Sequence, residues 1–181
     1  MMHETVTNPQ ATIKAERFVL RPLKASDAGL ITMYSSDEKL ARGTRSIPHP
    51  LPPGSVEAQI ARANDPDVPE DIWALDGTVS GHAEVLGLVS LSRMDRNQSE
   101  VFYWIAPAFW NVGFATEAVK TVLAANPHKA DHYFAEAFQD NPGSARVLTN
   151  CGFDYLGDAE AFSVARNAVV ATWTYTLKTG T

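Results

Sequence analysis

The chain has 181 residues, 45% of them hydrophobic, which suits one domain burying roughly 70% of the surface its unfolded form exposes and leaves too little length for two full domains. Lys and Arg number 15 against 21 Asp and Glu, and the resulting charge of -6 disfavours nucleic acid as the main partner, because counterion release needs a concentrated basic face. A single cysteine, Cys151, excludes an intrachain disulfide, and with no CxxC pair or Cys/His cluster to ligate zinc, no metal is expected and a reducing cytoplasm fits.

Residues 1–12 carry His3, Glu4, Asn8 and Pro9 and lack the apolar central run of a secretory signal, so they read as a flexible polar leader with no export expected. No stretch reaches the roughly eighteen apolar residues of a membrane-spanning helix, which points to a soluble protein without a membrane partner. Arg17-Phe18-Val19-Leu20-Arg21-Pro22-Leu23 has the content of a first strand, stopped by a proline that has no amide to give a ladder. Ser26 and Asp27 offer capping side chains to a short helix whose Leu30, Ile31 and Tyr34 share one face. Pro48, Pro50, Pro52 and Pro53 then hold an ordered, extended loop between Gly43 and Gly54. Ser55 opens a second helix in which Val56, Ile60 and Ala63 recur at helical spacing, and Asn64-Asp65-Pro66-Asp67 ends it.

The period then changes. Residues 71–75, 85–91 and 100–105 read as consecutive strands, and the Gly, Asp, Asn and Ser between them suit the turns of an antiparallel meander. After Pro107 the pattern becomes helical, with Ala115, Ala118, Val119, Val122 and Leu123 on one face. Residues 132–137 form another strand, 142–150 another helix ended by Gly152, and 154–162 and 168–177 two final β-rich runs. The class is α/β (α+β), a single domain over residues 1–181 with no repeat or linker to divide it.

Chemistry concentrates in two segments. In Trp110-Asn111-Val112-Gly113-Phe114-Ala115-Thr116-Glu117-Ala118 a glycine turn stands between a strand and a strong amphipathic helix. Unpaired amides at a helix start and the macrodipole favour an anion there, and Gly113 removes the Cβ that would keep an oxygen away, although a lone glycine also serves as a plain turn. The loop lacks the further glycines and the Lys-Ser/Thr pair of nucleotide loops, so ATP and NAD lose weight. In Asn141-Pro142-Gly143-Ser144, Asn141 suits a helix cap and Pro142 a first turn, while Ser144, one turn on, projects from the same side as Asn141.

Together these segments and the element order resemble the GNAT superfamily of acyl-CoA-dependent N-acetyltransferases over nearly the whole chain. The family's cofactor motif is a Gln or Arg, two residues, Gly, one residue, then Gly or Ala; Gly113 and Ala115 match it and Trp110 departs from its first position. Glu16-Arg17-Phe18-Val19-Leu20-Arg21-Pro22-Leu23, Tyr103-Trp104-Ile105-Ala106-Pro107 and Asn141-x-x-Ser144-x-x-Val147-Leu148-x-x-x-Gly152-Phe153 are similar to the branch that contains ribosomal-protein N-acetyltransferases. The resemblance implies a mixed, mainly antiparallel sheet, splayed near Ile105 and flanked by helices on both faces, with acetyl-CoA as co-substrate in the opening. It implies that Asn111, Val112, Gly113, Phe114, Ala115 and Thr116 hold the pyrophosphate with Trp110 a further cofactor contact, that the main chain at Trp104 and Ile105 pairs with the pantetheine arm, and that Asn141 and Ser144 flank the arm and thioester. Relatives often carry Arg or Lys where Val112 stands, so phosphate binding here is expected to rely on amides.

The implied reaction is direct acyl transfer to a bound primary amine, a protein N-terminus or a small-molecule amine. Glu100 is the first candidate for the base and Glu160 the second. Relatives often protonate the leaving thiolate with a tyrosine whose expected place is taken by Thr149, so Ser144 becomes the candidate donor. His49, in the proline loop, is a candidate acceptor contact. Cys151 is assigned no catalysis, and Trp73, Trp104, Trp110 and Trp173 are assigned mainly to packing. The protein is expected as a monomer or a homodimer. A catalytically decayed CoA sensor or partner-binding module, and an enzyme with another acyl preference such as succinyl or propionyl, stand as alternatives.

Overall fold

Alternating apolar residues build an eight-stranded sheet in the computed structural model, which describes residues 10–179. In chain order the strands are β1 (Ile13–Lys14), β2 (Val19–Pro22), β3 (Glu70–Asp76), β4 (Gly87–Met94), β5 (Gln98–Ile105), β6 (His132–Phe138), β7 (Asp154–Ser163) and β8 (Ala168–Lys178). Their spatial order is β1-β2-β3-β4-β5-β6-β8-β7, and every neighbouring pair is antiparallel except β5 with β6. The expected meander is β3-β4-β5.

The period of two sends successive side chains to opposite faces and creates two cores. Trp73, Leu75, Val89, Leu91, Val101 and Ile105 face α4 (Phe114–Ala125) and α5 (Pro142–Asn150), where Phe114, Val119, Val122 and Leu148 meet them. Ile72, Ala74, Leu88 and Trp104 face the other way, against Ile31 and Tyr34 of α1 (Ala28–Ser35), Leu40 of α2 (Glu38–Arg42) and Val56 and Ile60 of α3 (Ser55–Ala63). Helices thus cover both faces, as the fold class requires.

Three local differences from the sequence expectations have physical causes. The first strand is shorter than 17–23, because the chain turns back on itself through Ala15 N–H donating to Phe18 O at 3.0 Å, which pairs β1 with β2. The short helix α2 carries no apolar repeat long enough to read; it exists because Asp37 Oδ1 caps it, accepting from Leu40 N at 2.9 Å. Of the polar leader, residues 1–9 lie outside the described residues. Residues 10 and 11 are tied to β3, with Gln10 Nε2 donating to Ile72 O at 2.6 Å and Trp73 Nε1 to Ala11 O at 2.7 Å.

Two polar networks pin the sheet. Arg21 grips buried Asp27 with two hydrogen bonds of 2.8 Å and reaches Asp76 at 2.8 Å, joining β2, the turn before α1 and β3. Burial alone would raise the Asp76 carboxyl, but hydrogen bonds from Arg21 and Thr78 outweigh it and hold that group below the usual carboxylate value. On the opposite end of the sheet Ser99 Oγ lies 2.8 Å from His128 Nδ1, and His128 Nε2 lies 2.5 Å from Asp71 Oδ2. Ser99 is 1% exposed and His128 4%, so this Ser–His–Asp row ties strands together and offers no reachable nucleophile.

The feature that positions everything else is the parallel seam. The β5–β6 register covers Gln98↔His132, Ser99↔Tyr133 and Glu100↔Phe134 and then stops. Beyond it β5 stays with β4 and β6 with β8, and sheet twist carries the two strands apart.

Candidate active site

The divergence of β5 and β6 opens a cavity of about 430 Å³ bordered by α4 and α5 and, across the opening, by Lys39, Leu40, Gly43 and Thr44 in and just after α2. Tyr103, Trp104 and Ile105 line it from β5, Trp110, Asn111, Gly113, Phe114, Ala115 and Thr116 from the turn and first residues of α4, and Asn141 and Ser144 from the start of α5. Residues far apart in the chain that the sequence analysis assigned to one ligand therefore border one space. Val112 does not: its side chain points to solvent, 54% exposed, and its carbonyl is engaged elsewhere.

The turn into α4 is shaped by two left-handed residues, Asn111 at φ 64° and Gly113 at φ 86°. Gly113 stands at the N-cap, and no side chain caps the helix. The amides of the first turn consequently face the cavity without a capping oxygen, which is the arrangement an anionic oxygen fits. Trp110, at the position that departs from the family motif, donates from Nε1 to Ile105 O at 2.6 Å and so ties the turn to the end of β5.

A cation reaches the turn from far along the chain. Arg17 Nη1 donates to Val112 O at 2.8 Å, Arg17 Nε and its backbone amide both meet the Glu117 carboxylate at 2.6 and 2.9 Å, and the guanidinium lies 4.3 Å from the centre of the Phe114 ring. Its Nη2 would be 3.3 Å from a Cβ at Gly113. The turn between β1 and β2 thus braces the turn into α4, a contact no local pattern reveals.

On the opposite wall Asn141 Oδ1 caps α5 by accepting from Ser144 N at 3.4 Å. The Ser144 hydroxyl lies 2.8 Å from the Tyr103 hydroxyl, which also donates to Ser144 O at 3.1 Å. Burial pushes the Tyr103 phenol well above its usual value, and the Ser144 hydrogen bond offsets only part of that, so the phenol keeps its proton across the physiological range. Sequence analysis singled out Ser144 and missed Tyr103 as its partner. The available signal was the alternation on β5, which sets Tyr103 in phase with Val101 and Ile105.

Glu100 lies on the other face of β5, in a second cavity of about 770 Å³ bounded by α3, β3, β4 and the proline loop. Arg45 from that loop pairs with Glu100 and, at 3.0 Å, with Glu136 of β6, bridging the strands just beyond the point where they part. A narrow space of about 40 Å³ lies between the two cavities: it shares Tyr103 and Ser144 with the first cavity and Arg45 and Phe102 with the second. Arg45 was not foreseen, because its partners lie 55 and 91 residues away.

The remaining candidates lie apart. Glu160 is exposed on β7, opposite Ala171. His49 borders neither cavity and approaches Glu38 at 4.0 Å. Thr149 is exposed, its hydroxyl donating to Arg146 O at 3.1 Å. Burial pushes the Cys151 thiol up to about 11, so it stays protonated and is a poor nucleophile at neutral pH. Trp73 and Trp104 are buried and Trp173 packs against the core, whereas Trp110 is half-buried at the cavity wall. Among the described residues no three His, Cys, Asp or Glu side chains converge on a metal-sized site, and no helix is long and apolar enough to cross a membrane.

Comparison with known proteins agrees with this geometry. The model of the acetyltransferase (GNAT) domain family matches residues 17–154. The chain is 21% identical over 173 residues to the uncharacterized N-acetyltransferase p20 of Bacillus licheniformis, a match that spans 92% of this chain and 95% of that one. Among solved structures, the microcin C7 self-immunity acetyltransferase MccE in complex with acetyl-CoA and AMP superposes with a TM-score of 0.77 at 13% identity, covering 91% of this chain and 93% of that one. The ribosomal-protein-S5-alanine acetyltransferase of Vibrio fischeri superposes with a TM-score of 0.74 at 20% identity, covering 93% and 97%. The family model reaches from the arginine that braces the α4 turn past the helix that carries Ser144, and the chain belongs to the GNAT acetyltransferase family.

Proposed function

We propose that the protein transfers an acetyl group from acetyl-CoA to a primary amine, a protein N-terminus or a small molecule, by direct attack with both substrates bound. The observation that supports this reading is the row of adjoining spaces where the strands part: a cavity with an open helix N-terminus on one side, a polar cavity with Glu100 on the other, and Tyr103 and Ser144 on the wall of the small space between them. Acetyl-CoA supplies the acyl group as a thioester, already activated for attack by nitrogen.

The protein's own groups divide the work. The amides of Phe114, Ala115 and Thr116 and the bare Gly113 receive the diphosphate, with Arg17 holding the turn in shape. The edge of β5 that β6 leaves unpaired beyond Glu100 offers its main chain to the pantetheine arm. A primary amine has a pKa of about 10 and arrives protonated, so Glu100, directly or through water, takes that proton before the nitrogen attacks. Nitrogen bonds to the acyl carbon, the carbon–sulfur bond breaks, and the Tyr103–Ser144 pair supplies the proton that the departing thiolate needs. Arg45 holds Glu100 in place.

Thermal unfolding with and without acetyl-CoA, followed by thiol release with amines and N-terminal peptides, tests the reading. Ligand at about 100 times its dissociation constant adds about 2.7 kcal/mol, and at about 2–4 °C per kcal/mol for a chain of this size the midpoint rises by about 5–11 °C. A rise with thiol release supports the enzyme, a rise without release across the panel favours the CoA-sensor alternative, and no rise rejects the assignment of the Gly113 turn.

A further inference from the structure

α3 has two working faces. Val56 and Ile60 turn into the core, whereas Ser55, Ala58, Gln59 and Arg62, at offsets of zero, three, four and seven, form a stripe along the wall of the second cavity. The stripe is polar and carries one cation. Arg45, the other arginine of this cavity, is committed to Glu100 and Glu136, but Arg62 has no carboxylate within ion-pair distance among the described residues. The floor opposite is also accounted for, since Glu70 accepts from the Ser92 hydroxyl at 2.9 Å.

Ser55 lines the same cavity, but its hydroxyl oxygen is buried beneath the wall, so the polar groups that face the space from α3 are those of Gln59 and Arg62. Between Ser55 and Arg62 the small Ala58 leaves room along the helix, and Gln59 adds an amide that both donates and accepts.

We propose that this cavity receives an amine whose body also bears an anionic group, a carboxylate or a phosphate, read by Arg62 with help from Gln59 while Glu100 faces the amine. The inference rests on the acetyl-transfer reading and names its acceptor class. A guanidinium presents a planar fork that matches a carboxylate or phosphate with two hydrogen bonds, which an ammonium cannot do. Within the cavity the guanidiniums of Arg45 and Arg62 match the carboxylates of Glu70 and Glu100, so the net charge of -6 is not concentrated there and the more distant surface carboxylates are screened. Polycationic amines would set a positive charge against Arg62 and are expected to bind poorly.

Calorimetric titration of the protein saturated with CoA tests this without relying on turnover. The probes are matched pairs: γ-aminobutyrate against n-butylamine for the carboxylate, O-phosphoethanolamine against ethanolamine for the phosphate, with spermidine as the polycation. We expect the anion-bearing member of at least one pair to bind at least roughly tenfold more tightly, and the pair that responds identifies the anion. Arg62→Gln should abolish that difference, and Arg62→Glu should reverse it toward spermidine, both with CoA affinity within about twofold of the parent. Equal affinity within both pairs, no measurable binding of any member, a preference for spermidine in the parent, or a difference that survives Arg62→Gln would overturn the proposal. CoA binding is measured first, so its absence rejects the acetyl-transfer reading, whereas CoA binding without an anion preference rejects the acceptor class alone.

Discussion

Replacing Gly87 with alanine would place a Cβ 2.2 Å from the Trp104 carbonyl oxygen and 2.9 Å from the Ile105 Cα. Both are backbone atoms of the facing strand, so no side-chain rotation relieves the overlap and β5 itself must shift by about 1 Å to reach ordinary contact distances. Overpacking of this kind costs about 1–3 kcal/mol, and at about 2–4 °C per kcal/mol the unfolding midpoint should fall by about 2–12 °C. The displaced residues also line the proposed donor site, so acetyl-CoA should bind more weakly by at least about threefold, a change of about 0.7 kcal/mol. Gly29 in α1 provides a control of opposite sign, because a Cβ there meets nothing within 4 Å and alanine is the better helix former by about 0.5–1 kcal/mol. Differential scanning calorimetry and isothermal titration on the two variants measure both quantities. A Gly87→Ala protein that melts within 1 °C of the parent, by an order-of-magnitude criterion, and binds acetyl-CoA equally well would refute the claim that this contact sets the position of β5.

Arg17→Ala should raise the dissociation constant for acetyl-CoA by roughly tenfold, about 1.4 kcal/mol, but leave the binding of acetyl-pantetheine, which lacks the diphosphate, unaltered; equal losses for both would show that Arg17 acts only on general stability. Tyr103→Phe should lower kcat by roughly 100-fold with the affinity for acetyl-CoA preserved, and adding Ser144→Ala should cost little more, because the two hydroxyls act as one donor; in a kinetic comparison, fully additive losses would separate them. Asp76 and Asp140 are both held below the usual carboxylate value, so the stability they contribute is complete above about pH 4 and is lost as pH falls through their lower folded values. Asp76→Asn should therefore remove about 1.5–3 kcal/mol at pH 7 and flatten the acid limb of a urea-midpoint profile, and an acid limb as steep as the parent's would contradict that assignment.

What was legible in the sequence was local. The alternation in 71–75, 85–91 and 100–105 is printed in side chains that must face opposite ways, and the apolar stripe of α4 repeats with the helix. What was not legible depends on chain segments meeting at long range. Arg17 reaches Val112 across 95 residues, and Arg45 reaches Glu136 across 91, from a loop in which prolines gave only the statement that it is extended. α3 shows a subtler case: its apolar residues Val56 and Ile60 were read, but the polar stripe of Ser55, Gln59 and Arg62 acquires meaning only when a cavity is seen beside it. Tyr103 is similar, since its phase on β5 was available but the Ser144 hydroxyl that meets it comes from a helix 41 residues on.

β5 and β6 share three aligned residue pairs, whereas β4 and β5 share eight and β7 and β8 share nine. The sheet is in effect two stiff ribbons stitched at one end, with Arg45 as a clip where they part. Local opening should begin at that stitch, and the amides of β5 beyond Glu100 should exchange with solvent faster than those of β4. Under the proposed function a donor molecule laid along the free edge would act as a splint between the ribbons, and exchange of those β5 amides should slow when it binds.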